Sequence, residues 1–119
     1  MRILIVDDQV ESLEVVRELL ERRGHEVVGE ASNGSGAMAA AERFEPDAVL
    51  LDVRLGGESG FNVARSLTAR WPGLAILLMS VDSDTSAELA RACGARAFVP
   101  KQLLHTVDLQ ALLEGEPPE

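Results

Sequence analysis

The chain reads as one α/β domain, a doubly wound parallel sheet with helices on both faces. Strand-like and helix-like segments alternate five times along 119 residues with short connections between them. Ala48-Val49-Leu50-Leu51 is an unbroken apolar run, the pattern of a strand buried on both faces. Pro46 introduces that run, turning the residue before it away from helix, and Asp52 ends it. Carboxyl ends of parallel strands share one rim, and open α/β sheets bind ligands in the crevice beyond it. Asp52 is therefore either a reactive group or an ordinary turn aspartate.

Each element has its own signal. Arg2-Ile3-Leu4-Ile5-Val6 predicts a first strand that stops at Asp7-Asp8. Val10, Leu13, Val16 and Leu20 then recur at helical spacing, with Glu11, Glu14, Arg17, Glu18 and Glu21 mostly opposite, and Gly24 ends that helix. His25 to Glu30 supplies a second strand around Val27 and Val28, polar enough at its ends for a sheet edge. Ser32-Asn33 caps a helix from about Gly34 to Arg43, with Ala37, Met38, Ala40, Ala41 and Phe44 as its apolar side.

After the central strand, Arg54 to Ser59 forms a glycine-containing loop. Ser59 caps a third helix that turns Phe61, Ala64, Leu67 and Thr68 inward and ends at Trp71-Pro72-Gly73. Leu74 to Met79 is a fourth strand, ending at Ser80. Asp82-Ser83 caps a fourth helix reaching Cys93, with Gly94 as its stop. Ala95 to Val99 is the fifth strand, followed by Pro100-Lys101. Leu103, Leu104, Val107, Ala111 and Leu112 mark the stripe of a fifth helix. The domain is expected to span 1–114, with 115–119 (Gly-Glu-Pro-Pro-Glu) as the start of a linker or tail.

Composition narrows the function. Hydrophobic residues make up 46% and aromatics 3%, so the core is built from Leu, Val, Ala and Ile. A net charge of -9 offers no basic face for phosphate neutralisation and argues against nucleic-acid binding by this segment, while suiting a divalent cation. The single Cys93 reads as a small buried apolar residue. No run resembles a signal peptide or a membrane span, which makes a cytoplasmic setting the expectation. Ten of the eleven basic residues are arginine, leaving Lys101 as the only lysine and the only compact, flexible point charge.

The chemistry gathers at the strand ends: Asp7 and Asp8 after the first strand, Asp52 after the third, Ser80 after the fourth, Lys101 after the fifth. Plainer roles exist for each, such as an N-cap for Asp7-Asp8, a turn serine for Ser80 and core packing for Phe98. Two carboxylates about 4 Å apart repel by roughly 4 kcal/mol at an effective dielectric near 20, so an acidic cluster needs compensation. Mg²⁺ would supply it, as a hard ion that prefers oxygen and binds through one or two carboxylates plus a phosphoryl oxygen. Asp52 can then act as a nucleophile toward phosphorus and form an aspartyl-phosphate, with Lys101 and the Ser80 hydroxyl meeting the remaining phosphoryl oxygens. His25 and His105 show no partner in the sequence.

At this point a resemblance becomes specific. Ile3-Leu4-Ile5-Val6-Asp7-Asp8, Ala31-Ser32-Asn33-Gly34, Pro46 through Asp52, Gly57-Glu58-Ser59-Gly60-Phe61, Ser80 and Gly94-Ala95-Arg96-Ala97-Phe98-Val99-Pro100-Lys101 together resemble the CheY-like receiver domain of bacterial two-component response regulators. The likeness covers residues 1 to about 114. It implies a flavodoxin-like sheet of order 2-1-3-4-5 with five helices, in which the first and third strands are neighbours. It further implies that Asp52 takes a phosphoryl group from a sensor histidine kinase. Asp7, Asp8, Asp52 and the backbone carbonyl of Arg54 would hold Mg²⁺.

Ser80 would then shift toward the phosphoryl oxygen and Phe98 would turn inward. That would alter the face of the fourth helix, fifth strand and fifth helix, which is also a possible homodimer surface. The implied output is transcription, through an effector domain removed from this segment. Phosphorylation and dephosphorylation of Asp52 would be self-catalysed, not the turnover of an ordinary enzyme.

Four departures from the family pattern stand out. Gly56 replaces the usual proline, which should loosen the loop after Asp52, and Gln102 stands where a proline usually follows the lysine. Val81 replaces a small residue after Ser80 and is expected to narrow access to the carboxylate. The last helix lacks the arginine of regulators with winged-helix outputs, and Lys101-Gln102-Leu103-Leu104 is closer to those with a tetrahelical helix-turn-helix output. A protein-interaction module that keeps the fold without phosphorylation is the alternative that Val81 favours. A metal-dependent phosphatase or topoisomerase-primase-like enzyme fits less well, because the pair is Asp-Asp, not Asp-x-Asp. A flavin-binding role lacks a Ser/Thr/Gly-rich phosphate loop after the first strand.

Overall fold

The computed structural model describes residues 1–81 and 91–114. Five parallel strands, β1 (Arg2–Val6), β2 (Glu26–Ala31), β3 (Ala48–Asp52), β4 (Ala75–Ser80) and β5 (Ala97–Pro100), lie in the order β2-β1-β3-β4-β5. The class and strand order expected from the sequence are those observed. Helices α1 (Val10–Arg22), α2 (Gly34–Phe44) and α3 (Gly60–Arg70) and a short C-terminal helix (Leu109–Glu114) pack on the sheet. The body of the expected fourth helix, residues 82–90, lies outside the described residues, as does the tail 115–119. Arg91 and Ala92 are helical, and Gly94 follows at φ +88.

Alternation along the strands builds two cores. Leu4, Val6, Val49, Leu51, Ile76 and Leu78 face α2 and α3. Ile3, Ile5, Leu50, Leu77 and Met79 face α1 and the C-terminal helix. Every residue of β3 and β4 is buried, which is why the Ala48–Leu51 run carries no polar alternation. Each fully buried Leu or Ile side chain contributes roughly 1.5–3 kcal/mol, so the two central strands hold the molecule together. The edge strand β2 slips register between Ile3 and Leu4, where Gly29 pairs Leu4 and lies under the Phe44 ring.

Several local expectations are corrected. Val10 is 68% exposed, since it opens α1 at the rim, while Val16 and Leu20 carry the helix's burial. Ser59 precedes α3 but makes no side-chain cap bond, whereas Asn33 Oδ1 does accept from the Gly36 amide at 2.8 Å. The inward side of α3 is Val63, Ala64 and Leu67, with Phe61 partly buried against the same core; Thr68 is half-buried and bonds the Ala64 carbonyl.

The fifth helix is not continuous. Lys101–Leu103 is a 3₁₀ turn, and α-helix resumes only at Leu109, with Leu104, Leu109 and Leu113 buried and Leu103 46% exposed. Arg23 explains the break: its guanidinium takes the carbonyls of His105 and Val107, and Asp108 then caps the Ala111 amide. His25 is buried, with Nδ1 3.2 Å from the Met1 amino nitrogen. Burial first, then the Met1 ammonium and Arg23, push its imidazole below its ordinary range. Cys93 is buried as expected. No helix among the described residues is long and apolar enough to cross a membrane.

Candidate functional site

The sheet order sets β1 beside β3, and their carboxyl ends bring Asp7, Asp8 and Asp52 together, each offering an oxygen within 4.8 Å of the others. Asp7 is wholly buried. Its amide still pairs with the Ala31 carbonyl at 3.0 Å, and its Oδ1 accepts from the Gln9 amide at 2.9 Å, so its orientation is fixed by backbone. Asp8 is exposed. Asp52 is the last residue of β3, where Oδ1 accepts from the Arg54 amide at 3.0 Å.

Lys101 closes the group from the end of β5. Its Nζ donates to Asp7 Oδ2 at 2.6 Å, Asp52 Oδ2 at 2.8 Å and Ser12 Oγ at 3.1 Å. Burial dominates the Asp52 carboxyl and pushes its pKa up; the Arg54 amide and Lys101 pull it back, and the Asp7 charge pushes it up again. Burial alone would lower the Lys101 pKa, but Asp52 and Asp7 outweigh it and the ammonium is held above its ordinary value. The two directions agree, because the lysine sits between two acids while Asp52 faces apolar strand and a second acid. Lys101 thus directly compensates two of the three carboxylates. Oxygen-only donors with a remaining charge excess are the set a hard divalent ion accepts.

The other sequence candidates sit around this group. Ser80 ends β4, 1% exposed, with Pro100 as its partner on β5. Phe98 is half-buried against the α2/α3 core. Arg54 follows Asp52 by two residues and starts a two-stranded hairpin, Arg54–Leu55 against Glu58–Ser59. The hairpin's turn carries Gly56 at φ +65, an angle proline's ring forbids. A cleft of about 480 Å³ opens over the carboxylates, lined among others by Asp8, Asp52, Arg54, Gly56, Val81 and Lys101. Val81 is 70% exposed on its rim.

Sequence reading missed three features here. Glu58 reaches across to α2, its Oε1 accepting from the Gly34 amide at 2.6 Å, which pins the loop that Gly56 was expected to loosen. The hairpin itself gave no alternating pattern. Ser12 carries no signal of its own in the sequence; it stands in the first turn of α1, just after the acids.

Comparisons with known proteins show the family of the chain. A family model for the response regulator receiver domain matches residues 3–114. Protein PilH of Pseudomonas aeruginosa is 34% identical over 116 residues, covering 95% of this chain and 92% of that protein. The transcriptional regulatory protein PdtaR of Mycobacterium tuberculosis is 31% identical over 100 residues; the match covers 84% of this chain but only 49% of PdtaR. The response regulator protein TrrA of Thermotoga maritima, solved in complex with Mg²⁺ and beryllium fluoride, superposes with a TM-score of 0.81 at 29% identity, covering 94% of this chain and 98% of that one.

Proposed function

Because the chain belongs to the response regulator receiver domain family, we propose that it is a phosphoacceptor switch in which Asp52 receives a phosphoryl group from a sensor histidine kinase. The observation that carries this reading is the Asp7, Asp8 and Asp52 cluster with Lys101 bridging two of its members at 2.6 and 2.8 Å. A carboxylate oxygen of Asp52 attacks phosphorus, the P–N bond to the donor imidazole breaks, and its electron pair leaves with the imidazole. Asp7, Asp8, Asp52 and the Arg54 carbonyl would hold Mg²⁺, which supplies charge stabilisation for the phosphoryl oxygens. Lys101 and Ser80 meet those oxygens in turn, and the Arg54 amide keeps the Asp52 carboxylate oriented.

The signal then spreads through Ser80 and Phe98. Phe98 is only half-buried in this structure, so it has further burial to gain by turning inward once Ser80 moves. Shifting a two-state equilibrium from about 1:99 to 99:1 takes roughly 5.5 kcal/mol of differential interaction. Charge-assisted contacts from Ser80 and Lys101 to a new phosphoryl group are a source of that size. The altered face of fifth strand and flanking helices would control an output, by homodimerisation or by release of an effector domain acting on transcription. PdtaR, matched over 49% of its length, has chain beyond the matched part, whereas PilH is matched over 92% of its length.

A second reading, an interaction module that works without phosphorylation, draws on Val81 at the mouth of the cleft. Intact mass after incubation with acetyl phosphate and Mg²⁺ separates the two. The switch predicts a mass gain of one phosphoryl group in the wild type and none in Asp52→Asn. No gain under any donor favours the interaction module.

A further inference from the structure

We propose that Ser12 is a positioning residue that holds the Lys101 ammonium in place while its acidic partners change, an inference that rests on the phosphoacceptor reading of Asp52. A lysine ammonium has three N–H donors. Here they go to Asp7 at 2.6 Å, Asp52 at 2.8 Å and Ser12 at 3.1 Å, so the set is complete. Two of those partners are altered by the reaction: Asp52 gives one carboxylate oxygen to the new P–O bond, and Asp7 shares its charge with whatever cation enters. The Ser12 hydroxyl keeps its acceptor capacity throughout.

The supports of the two residues differ in kind. Lys101 swings on a four-carbon stem from a 3₁₀ turn, and a stem of that length does not hold its own geometry. Ser12 stands on a short side chain in α1, a helix anchored by Val16 and Leu20 in the core. Both line the cleft over Asp52, and both line the larger groove of about 580 Å³ beside it, along α1. Without the Ser12 contact, the ammonium depends on the changing acids and the incoming phosphoryl oxygens alone, on the side where the cleft adjoins that groove.

The test exploits the single lysine, since ¹⁵N-lysine labelling gives one Nζ signal in the whole chain. Solvent exchange of that ammonium should quicken about fivefold in Ser12→Ala and return toward the wild-type rate in Ser12→Thr. With acetyl phosphate and Mg²⁺, Ser12→Ala should lower the maximal rate of Asp52 phosphorylation about fivefold with the half-saturating donor concentration unchanged, and should add nothing in a Lys101→Ala background. Unchanged exchange and unchanged rate in Ser12→Ala overturn the inference. So does a slowing that persists in full without Lys101, which would mark Ser12 as structural. A wild type that takes no phosphoryl group overturns the parent reading instead, and the exchange measurement still decides whether Ser12 holds the ammonium.

Discussion

Under the proposed phosphoacceptor role, Asp52 meets two opposing demands: it must be ionised to attack phosphorus, yet it is buried at 6% exposure beside Asp7. Burial raises its pKa above 3.8, so between that value and its own raised value the folded protein keeps a proton that the unfolded chain has lost. Stability attributable to Asp52 therefore falls as pH rises through that window, and the ionised carboxylate costs stability at neutral pH. Asp52→Asn removes the cost. Its thermal midpoint at pH 7 is expected to lie above wild type, with the gap closing as pH falls through the raised value toward 3.8. Millimolar Mg²⁺ should raise the wild-type midpoint more than that of the variant, because binding to the folded state alone stabilises it. A variant less stable than wild type at pH 7 would show that the Lys101 contact outweighs burial.

Val81 is the other residue with a measurable consequence. Its branched side chain lines the cleft where a smaller one would leave the carboxylate more open. Val81→Ala is expected to speed phosphorylation by acetyl phosphate severalfold, and an equal or slower rate would remove Val81 as a barrier.

At the scale of elements, the site depends on how closely α3 and the hairpin approach the end of β3. The Gly60 amide bonds the Val53 carbonyl at 2.8 Å, and a Cβ at Gly60 would fall onto the Asp52 carbonyl oxygen and within 2.6 Å of the Val53 Cα. Gly60→Ala is thus expected to cost about 2–3 kcal/mol in urea unfolding. Gly57→Ala, whose Cβ would meet nothing within 4 Å, serves as the near-neutral control. Elements of this kind divide by how visible they are in sequence. β3 and β4 were legible because burial on both faces leaves an unbroken apolar run. The region from Leu104 to Asp108 was not, because its break comes from Arg23, more than 80 residues away, taking two carbonyls that a helix would have used. The hairpin after Asp52 was equally hidden, since two-residue strands have no period to read.

For the whole molecule, the strand order is what turns separate motifs into one site. Asp7 and Asp8 lie more than 40 residues from Asp52 in sequence and Lys101 nearly 50 beyond it, yet β1, β3 and β5 deliver all four to one rim. That convergence could be anticipated because polar residues close four of the five strands. The Lys101–Ser12 contact could not, because it depends on the path of a flexible side chain and not on strand ends.

On the proposed reading Asp52, and not a neighbouring acid, carries the phosphoryl group. Reductive trapping of the acyl phosphate after reaction with acetyl phosphate and Mg²⁺, followed by peptide mapping, tests it most directly. The label should fall on residue 52 alone and vanish when Mg²⁺ is withheld; label on Asp7 or Asp8, or none on any of the three, would contradict it.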